Sequence, residues 1–462
     1  IKDEPLDNIV LGDTLGDGKT FDGHPNKLFH YMMANPPFGV EWKPQKDTVE
    51  KEYKNHGFSG RFGPGLPRIN DGALLFLLHM ISKMHPAPEL GGDGSKIAIV
   101  FNGSPLFTGD AGSGESNIRR WIIENDLLDT VVALPNQLFY NTGIFTYLWL
   151  VTNRKTAKRK GKIQLIDATR HYQKMGKSLG DKRNKMSKEH IKEITRLYGD
   201  FGHEAVSKFL CENKPAEKIA SKIFDNREFG FLKMTMERPL RLNFLVNDER
   251  IAKLQYEPAF IELAESQKRK NQTAIDEEVA AGKDLQLAIL AMLAGMKSDK
   301  LIMDRVLFHK SLKKAIKGAG LDLEAPVQKA ILSALSEKDP KAEICRDTKG
   351  NPEPDADLRD TELVPLPKTI ALPLPIDYDK NAKNDELLLL VKNPCEAYLK
   401  KEVLPHVSDA WIDHKKTKVG YEIPLNRHFY VYEPPRPLDL IESDIEKVEN
   451  EILGMLKGLK IS

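Results

Sequence analysis

The tetrapeptide Asn35-Pro36-Pro37-Phe38 joins residue types whose spacing describes a reaction. Two successive prolines fix φ and remove two N–H donors, so the backbone there is stiff and presents carbonyl acceptors. An aromatic exocyclic amine is a poor nucleophile, because its lone pair is delocalised into the ring. The Asn35 side-chain oxygen and the Pro36 carbonyl can each accept one N–H of such an amine, localising the lone pair toward a methyl sulfonium. Phe38 then offers a flat face for a base taken out of its stack, since a ring nitrogen substituent inside a duplex is out of reach. No metal and no covalent nucleophile enters this chemistry. An Asn-Pro pair is also an ordinary turn starter, so the motif gains weight from what surrounds it.

Leu28 to Ala34 is an apolar run that delivers Asn35 to the end of a strand, and Gly39 follows at once. Lys96 to Phe101, Thr130 to Leu134 and Thr146 to Thr152 read as further buried strands, bounded by Gly, Pro or Asn. Asp71-Gly72 opens a helix over Ala73 to Met84, with Leu74, Leu77, Leu78 and Ile81 on one face. A second helix is expected over Ser116 to Asn125, with Ile118, Trp121 and Ile122 inward. Strands alternating with helices predict a parallel α/β sheet, in whose carboxyl edge ligands collect. The last two strands, joined by the turn-rich Pro135 to Gly143, can instead pair antiparallel.

The 462 residues allow two or three domains, and 40% hydrophobic content fills real cores. Apolar stretches such as Leu285 to Met296 fall short of the roughly 20 residues of a membrane span. No export leader is visible, and a cytoplasmic address is expected. Cys211, Cys345 and Cys395 stand far apart, and the 12 histidines form no H-E-x-x-H or H-x-H cluster, so no metal is expected. Net charge is only +2, yet residues 153–196 hold 15 Lys/Arg against 4 Asp/Glu. Such a run is more often a solvated face, but behind a motif for a nucleobase it suits a flank that touches phosphates. At the far end, Ile441, Ile445, Val448, Ile452, Met455 and Leu459 recur in steps of four and three, a seam fit for a partner helix or for its own chain.

The Asn-Pro-Pro-Phe tetrapeptide resembles the signature of S-adenosylmethionine-dependent amino-methyltransferases. Ala34 to Gly39 is similar to its version in the modification subunit of type I restriction-modification systems, an adenine-N6 DNA methyltransferase. Gly12-Asp13-Thr14-Leu15, Asp71 to His79, Asn141-Thr142-Gly143, Glu237 to Leu242, Gly420 to Pro424 and Arg427 to Tyr430 resemble that family in the same order. The resemblance implies a Rossmann-like α/β core with a long, mostly helical C-terminal extension. It implies S-adenosyl-L-methionine as cofactor, with Asp13 holding its adenine amino group and Asn35 beside it. Asn35, Pro36, Pro37 and Phe38 are then the catalytic loop, with Phe38 and Phe139 packing on the flipped adenine. On the residues alone, Asp13 is equally a turn aspartate and Phe139 a core phenylalanine. The implied partners are DNA, a specificity subunit, a restriction subunit and a second modification subunit.

The family's glycine-rich cofactor strand and ribose-binding acid do not precede Asn35, so the core is expected to be incomplete at its N-terminus and to bind cofactor poorly by itself. Phe107 to Gly112 lacks the second glycine of such a loop and reads as a mobile loop; Gly18-Lys19-Thr20 lacks the upstream glycine of a P-loop. The organisation expected is 1–155 as the C-terminal part of a catalytic domain and 156–245 as a basic extension. A helical region over 246–338, a Pro/Asp-rich connector over 339–377 and an assembly region over 378–462 follow. The alternatives are a protein-glutamine or RNA amino-methyltransferase, or a non-catalytic assembly fragment.

Overall fold

A computed structural model of the chain describes residues 9–16, 22–211, 214–266, 268, 270–375, 385–432 and 434–459; Gly18-Lys19-Thr20 lies outside them. Contacts divide the chain into two units, residues 1–230 with 371–380 and 420–462, and residues 231–370 with 381–419. The units interleave along the sequence, so they do not follow the consecutive stretches expected.

The first unit is built on a seven-stranded mixed sheet. Its strands are β1 (Tyr31–Ala34), β2 (Lys96–Phe101), β3 (Leu128–Leu134), β4 (Thr146–Thr152), β5 (Lys162–Asp167), β8 (Ala205–Cys211) and β9 (Lys214–Asp225), in the order β1-β2-β4-β3-β5-β9-β8. Two further strands, β6 (Gln173–Leu179) and β7 (Lys182–Lys185), form a separate hairpin. β1 runs parallel to β2 and β3 parallel to β5, while β4 enters antiparallel between β2 and β3. The wholly parallel sheet is thus corrected by the turn-rich 135–145 segment, which reverses the chain so that Leu134 faces Thr146.

Helices α1 (Lys46–His56), α2 (Ala73–Ser82), α3 (Ser104–Phe107), α4 (Gly114–Glu124) and α5 (Lys188–Asp200) complete the unit. α2 contributes Leu74, Leu75, Leu77 and Leu78 to the core, alongside Ile97, Ile99 and Phe101 of β2 and Trp149 and Val151 of β4. Each such side chain, fully buried, stabilises by roughly 1.5–3 kcal/mol. Phe101 and Trp149 meet edge to face at 5.4 Å, the arrangement ring quadrupoles favour. The Phe107 to Gly112 stretch, read as a mobile loop, begins at the last residue of α3 and is anchored: Arg119 Nη1 donates to Thr108 O at 2.7 Å.

Segment 420–425 closes over α4. Tyr421 N donates to Ser116 Oγ at 3.1 Å, Arg119 Nε to Tyr421 O at 2.6 Å, and Tyr421 Oη to Glu124 Oε1 at 2.9 Å. Buried polar groups persist only when so paired, which is the physical need for Tyr421 some three hundred residues downstream.

The second unit holds β10 (Gly230–Glu237), β11 (Leu242–Val246), β12 (Ser298–Ile302), β13 (Ser336–Lys338), β14 (Asp360–Pro365) and β15 (Trp411–Ile412). Its helices are α6 (Asp248–Lys253), α7 (Pro258–Ile261), α8 (Gln272–Gly295), α9 (Arg305–Gly318), α10 (Ala325–Ala334) and α11 (Asp385–Tyr398). One core gathers Leu254, Ile289, Phe308, Leu312 and Ile331 around Phe244, whose ring stacks on Phe308 at 4.6 Å. The Pro/Asp-rich passage is not a free connector: β14 pairs antiparallel with β10, and buried Asp355 accepts from Lys338.

Back in the first unit, α12 (Leu425–Phe429) leads to α13 (Leu438–Leu459), which carries the expected seam. Ile441, Ile445, Val448, Ile452 and Met455 are all exposed on it. Among the described residues, no helix is long and apolar enough to cross a membrane.

Candidate active site

β1 delivers Asn35 to the carboxyl edge of the sheet, as its apolar run predicts. Asn35 is exposed and its amide makes no hydrogen bond among the described residues, Pro36 is buried, and Phe38 is half-buried. The loop beyond is tied down rather than loose. Gly39 adopts a left-handed φ of +60°, which glycine takes without steric cost. Gly72 N then donates to Val40 O at 3.1 Å, Trp42 N to Ile69 O at 3.1 Å, and Trp42 Nε1 to Arg68 O at 2.9 Å. The stiff acceptor loop therefore rests on the start of α2, whose Ala73 N is capped by Asp71 Oδ1 at 3.2 Å.

The register brings the ends of β1, β2 and β3 and the start of antiparallel β4 to the same edge. Ala34 lies beside Ile99, Phe101 beside Tyr147 and Leu134 beside Thr146. Asn102, the first residue after β2, is thus one strand, or about 4.8 Å, from the line of β1. Its side-chain Oδ1 is buried without a hydrogen-bond partner among the described residues, as is Thr146 Oγ1. An unpaired buried oxygen costs free energy unless a ligand or water completes it, which makes Asn102 a candidate for the site. An Asn-Gly pair directly after a strand was the available signal for it, and it reads more simply as a turn. At the end of β5, burial raises the Asp167 carboxyl, but Lys218 and Thr169 outweigh that and hold it below the ordinary range.

Phe139 lies in the loop that leaves the end of β3, and β3 itself is three strand spacings, roughly 14 Å, from β1. Phe139 is half-buried against Val132, Leu134, Ile166 and Leu197. The rings presented to solvent in this loop are its neighbours Tyr140 and Phe145. Asp13 is engaged twice: Oδ1 accepts from Leu15 N at 3.1 Å and Oδ2 from Gln45 Nε2 at 2.8 Å. A carboxylate has about four lone-pair sites, so acceptor capacity remains. No hydrogen bond among the described residues joins Asp13 to Asn35.

Among the described residues, β1 is the edge strand of its sheet. Tyr31 is 72% and Met33 87% exposed, and they border a hollow of about 260 Å³ lined also by Ala98, Leu150 and Val151. Apolar side chains on an unpaired edge are what proteins avoid unless something covers them.

The basic run divides in two. Arg159 lies buried against Asp129 at 3.2 Å, with its guanidinium 4.2 Å from the rings of both Tyr198 and Phe201. Lys155 pairs with Asp126 at 2.6 Å, Lys160 with Glu89, and Arg196 with Glu193 and Asp200. By contrast Lys177, Arg183 and Lys185, on the β6–β7 hairpin, are exposed and make no ion pair among the described residues.

Residues 1–227 match the family model described as N-6 DNA Methylase. The chain is 31% identical over 200 residues to the type I restriction enzyme MjaIX methylase subunit of Methanocaldococcus jannaschii, covering 42% of this chain and 33% of that protein. It is 34% identical over 154 residues to the type I restriction enzyme HindI methylase subunit of Haemophilus influenzae, covering 33% and 30%. A crystal structure of a type I restriction-modification system methyltransferase subunit from Streptococcus thermophilus matches at 23% identity over 47% of this chain and 38% of that one, with a TM-score of 0.35. The chain spans about a third of the length of the two relatives, 33% and 30%.

Proposed function

We propose, from the premise that residues 1–227 match the N-6 DNA methylases and that the chain resembles type I methylase subunits, that this protein methylates adenine N6 in DNA with S-adenosyl-L-methionine. The observation that carries the reading is Asn35: an exposed amide with no hydrogen bond among the described residues, at a sheet's carboxyl edge, before two prolines that offer only acceptors. S-adenosylmethionine, when bound, supplies an electrophilic methyl group on a sulfonium. The residues present fit it in part. Asn102 Oδ1 has no hydrogen-bond partner among the described residues, and Asp13 retains acceptor capacity for an adenine amino group.

On the chain's side, Asn35 Oδ1 and Pro36 O accept the two N–H groups of the target amine and orient its lone pair. Phe38 packs on the extruded base, and the Phe139 loop borders it from the β3 side. In this reading the chain is the modification subunit of a type I complex, with a second copy and restriction and specificity subunits as partners. α13 meets the specificity subunit through Ile445 and Ile452, both exposed on its seam. The sequence reader being elsewhere, the target is not written in this chain.

Asn35→Ala in the assembled complex is expected to lower tritium transfer from labelled cofactor to duplex DNA at least about a hundredfold, the scale of a lost transition-state hydrogen bond, with assembly intact. Persisting transfer refutes the role of Asn35, and transfer to protein or RNA instead of duplex DNA refutes the substrate.

The bare edge of β1 favours a second statement about the chain in isolation. With Tyr31 and Met33 uncovered, these 462 residues alone are expected to bind cofactor poorly; tight stoichiometric binding by calorimetry contradicts this.

A further inference from the structure

The β6–β7 hairpin carries three of the exposed cations within residues 153–196 that make no ion pair among the described residues, as Lys162, Arg170, Lys188 and Lys192 also do not, and it alone of these is a clasp on the loop that carries Phe139. Gly180 turns it with φ +59°, and a Cβ there would stand 2.8 Å from Tyr140 O. Beyond the turn the side chains alternate, as they must on a strand. Lys182 and Asn184 face the 136–140 loop. Lys182 Nζ donates to Leu138 O at 2.8 Å and sits 5.3 Å from the centre of the Tyr140 ring. Buried Asn184 donates through Nδ2 to Asn136 O at 2.9 Å and Oδ1 at 3.3 Å. The backbone adds Arg183 N and Asn184 N to Gln137 O, both at 3.0 Å, and Asp181 N to Tyr140 O at 3.1 Å. Arg183 and Lys185 take the alternate positions and, with Lys177, are exposed.

We propose that this hairpin is a phosphate-gripping ribbon for duplex DNA, and that its clasp positions the Phe139–Tyr140 loop beside the target base. The proposal rests on the function above and names the surface by which the duplex is held. Cations without intramolecular partners on a two-stranded ribbon release counterions when phosphates replace solvent. Six hydrogen bonds then carry that placement to the loop. A wholly solvated charge run needs neither a clasp nor a buried asparagine, and an acidic protein surface would have no reason to sit at the edge that holds Asn35.

The test is duplex binding by the full chain in its assembled complex, read by fluorescence anisotropy across a salt series. Replacing Lys177, Arg183 and Lys185 together by Ala is expected to flatten the slope of log K against log salt by roughly 2 to 3, at about 0.9 per phosphate contact, and to weaken low-salt binding at least about tenfold. An unchanged slope and affinity overturn the ribbon. The pair Lys177→Arg with Lys185→Arg is expected to keep the parental slope; its loss there would mean a structural defect and also overturn it. Asn35→Ala is expected to lose methyl transfer while keeping the slope, so a ribbon that fails beside an intact Asn35 effect fails alone. A parental complex with no salt-dependent duplex affinity instead overturns the function reading. Polyglutamate displacing the duplex at equal charge concentration would assign the surface to an acidic protein and sink the proposal.

Discussion

Arg159 and Arg183 stand in one basic stretch of sequence and meet opposite fates. Arg159 is buried, paired with Asp129, hydrogen-bonded to Thr130 and Gln164, and flanked by two aromatic rings. Arg183 faces solvent on a hairpin whose next residue, Asn184, is buried. A buried guanidinium is tolerated only when its donors are met, so the first arginine is spent on the fold. An exposed cation without an ion pair costs the fold little and stays open to solvent or a partner. Charge density in a sequence therefore counts ions without saying which are already used.

The sharpest way to break this contrast is at its buried end. Arg159→Ala leaves Asp129 uncompensated beside the Tyr198 hydroxyl, which donates to it at 2.9 Å. Unfolding free energy is expected to fall by about 3–5 kcal/mol, measured by urea denaturation. Adding Asp129→Asn should recover part of the loss, because the two side chains act as one unit. A loss under about 1 kcal/mol would place Arg159 among ordinary surface pairs and erase the distinction.

A smaller effect comes from a spent group that titrates. His171 is buried, with Nε2 2.8 Å from Ser207 Oγ. Burial first, and neighbouring His190 second, push it down to about 4 from an ordinary 6.5. The unfolded chain therefore takes up a proton between pH 6.5 and 4 that the folded chain refuses. Stability from this site is complete above about 6.5, falls as acid is added through that window, and changes no further below about 4. At pH 5 the deficit is roughly 2 kcal/mol. His171→Asn should flatten that part of the acid limb in urea midpoints taken at pH 7.5 and 5.0. His79, also pushed down to about 4, first by burial and then by Arg61, supplies a similar slope that survives the substitution. An unchanged acid limb would remove His171 from the account.

Much of the first unit was legible because alternating apolar residues and turn formers act locally. β2 and β4 fall where Lys96–Phe101 and Thr146–Thr152 were expected, α2 ends two residues early, and α4 starts two residues early and ends one early. The insertion of β4 between β2 and β3 was only half legible, since turns in 135–145 permit a reversal without naming the strand it will meet. The placement of Asn35 just past a strand was legible from the apolar run before it and the prolines after it. Asn102 was not, because its significance is an unpaired oxygen at a sheet edge, which exists only once β1 and β2 lie side by side. Nor was the commitment of Asp13 to Gln45, a contact across 32 residues. The connector reading of 339–377 failed for the same reason: Pro and Asp forbid helix, but they do not forbid β14 from finding β10.

The smallest expected effect lies at the exposed end of the contrast. Lys177, Arg183 and Lys185 make no ion pair among the described residues, and the clasp on loop 136–140 runs through Lys182, Asn184 and backbone groups that alanine leaves in place. The triple alanine variant should therefore unfold within about 0.5 kcal/mol of the parent, as surface substitutions away from packed features do. Any departure at low salt is expected as a slight gain, because three like charges on one ribbon repel each other there. That sign gives the measurement its leverage: any gain should shrink as salt rises, while a true structural loss would persist at every ionic strength. A salt-independent loss of 2 kcal/mol or more in urea denaturation, on the scale of about half the Arg159 effect, would mean that these cations are also spent on the fold, and that the two halves of the basic stretch do not differ in kind.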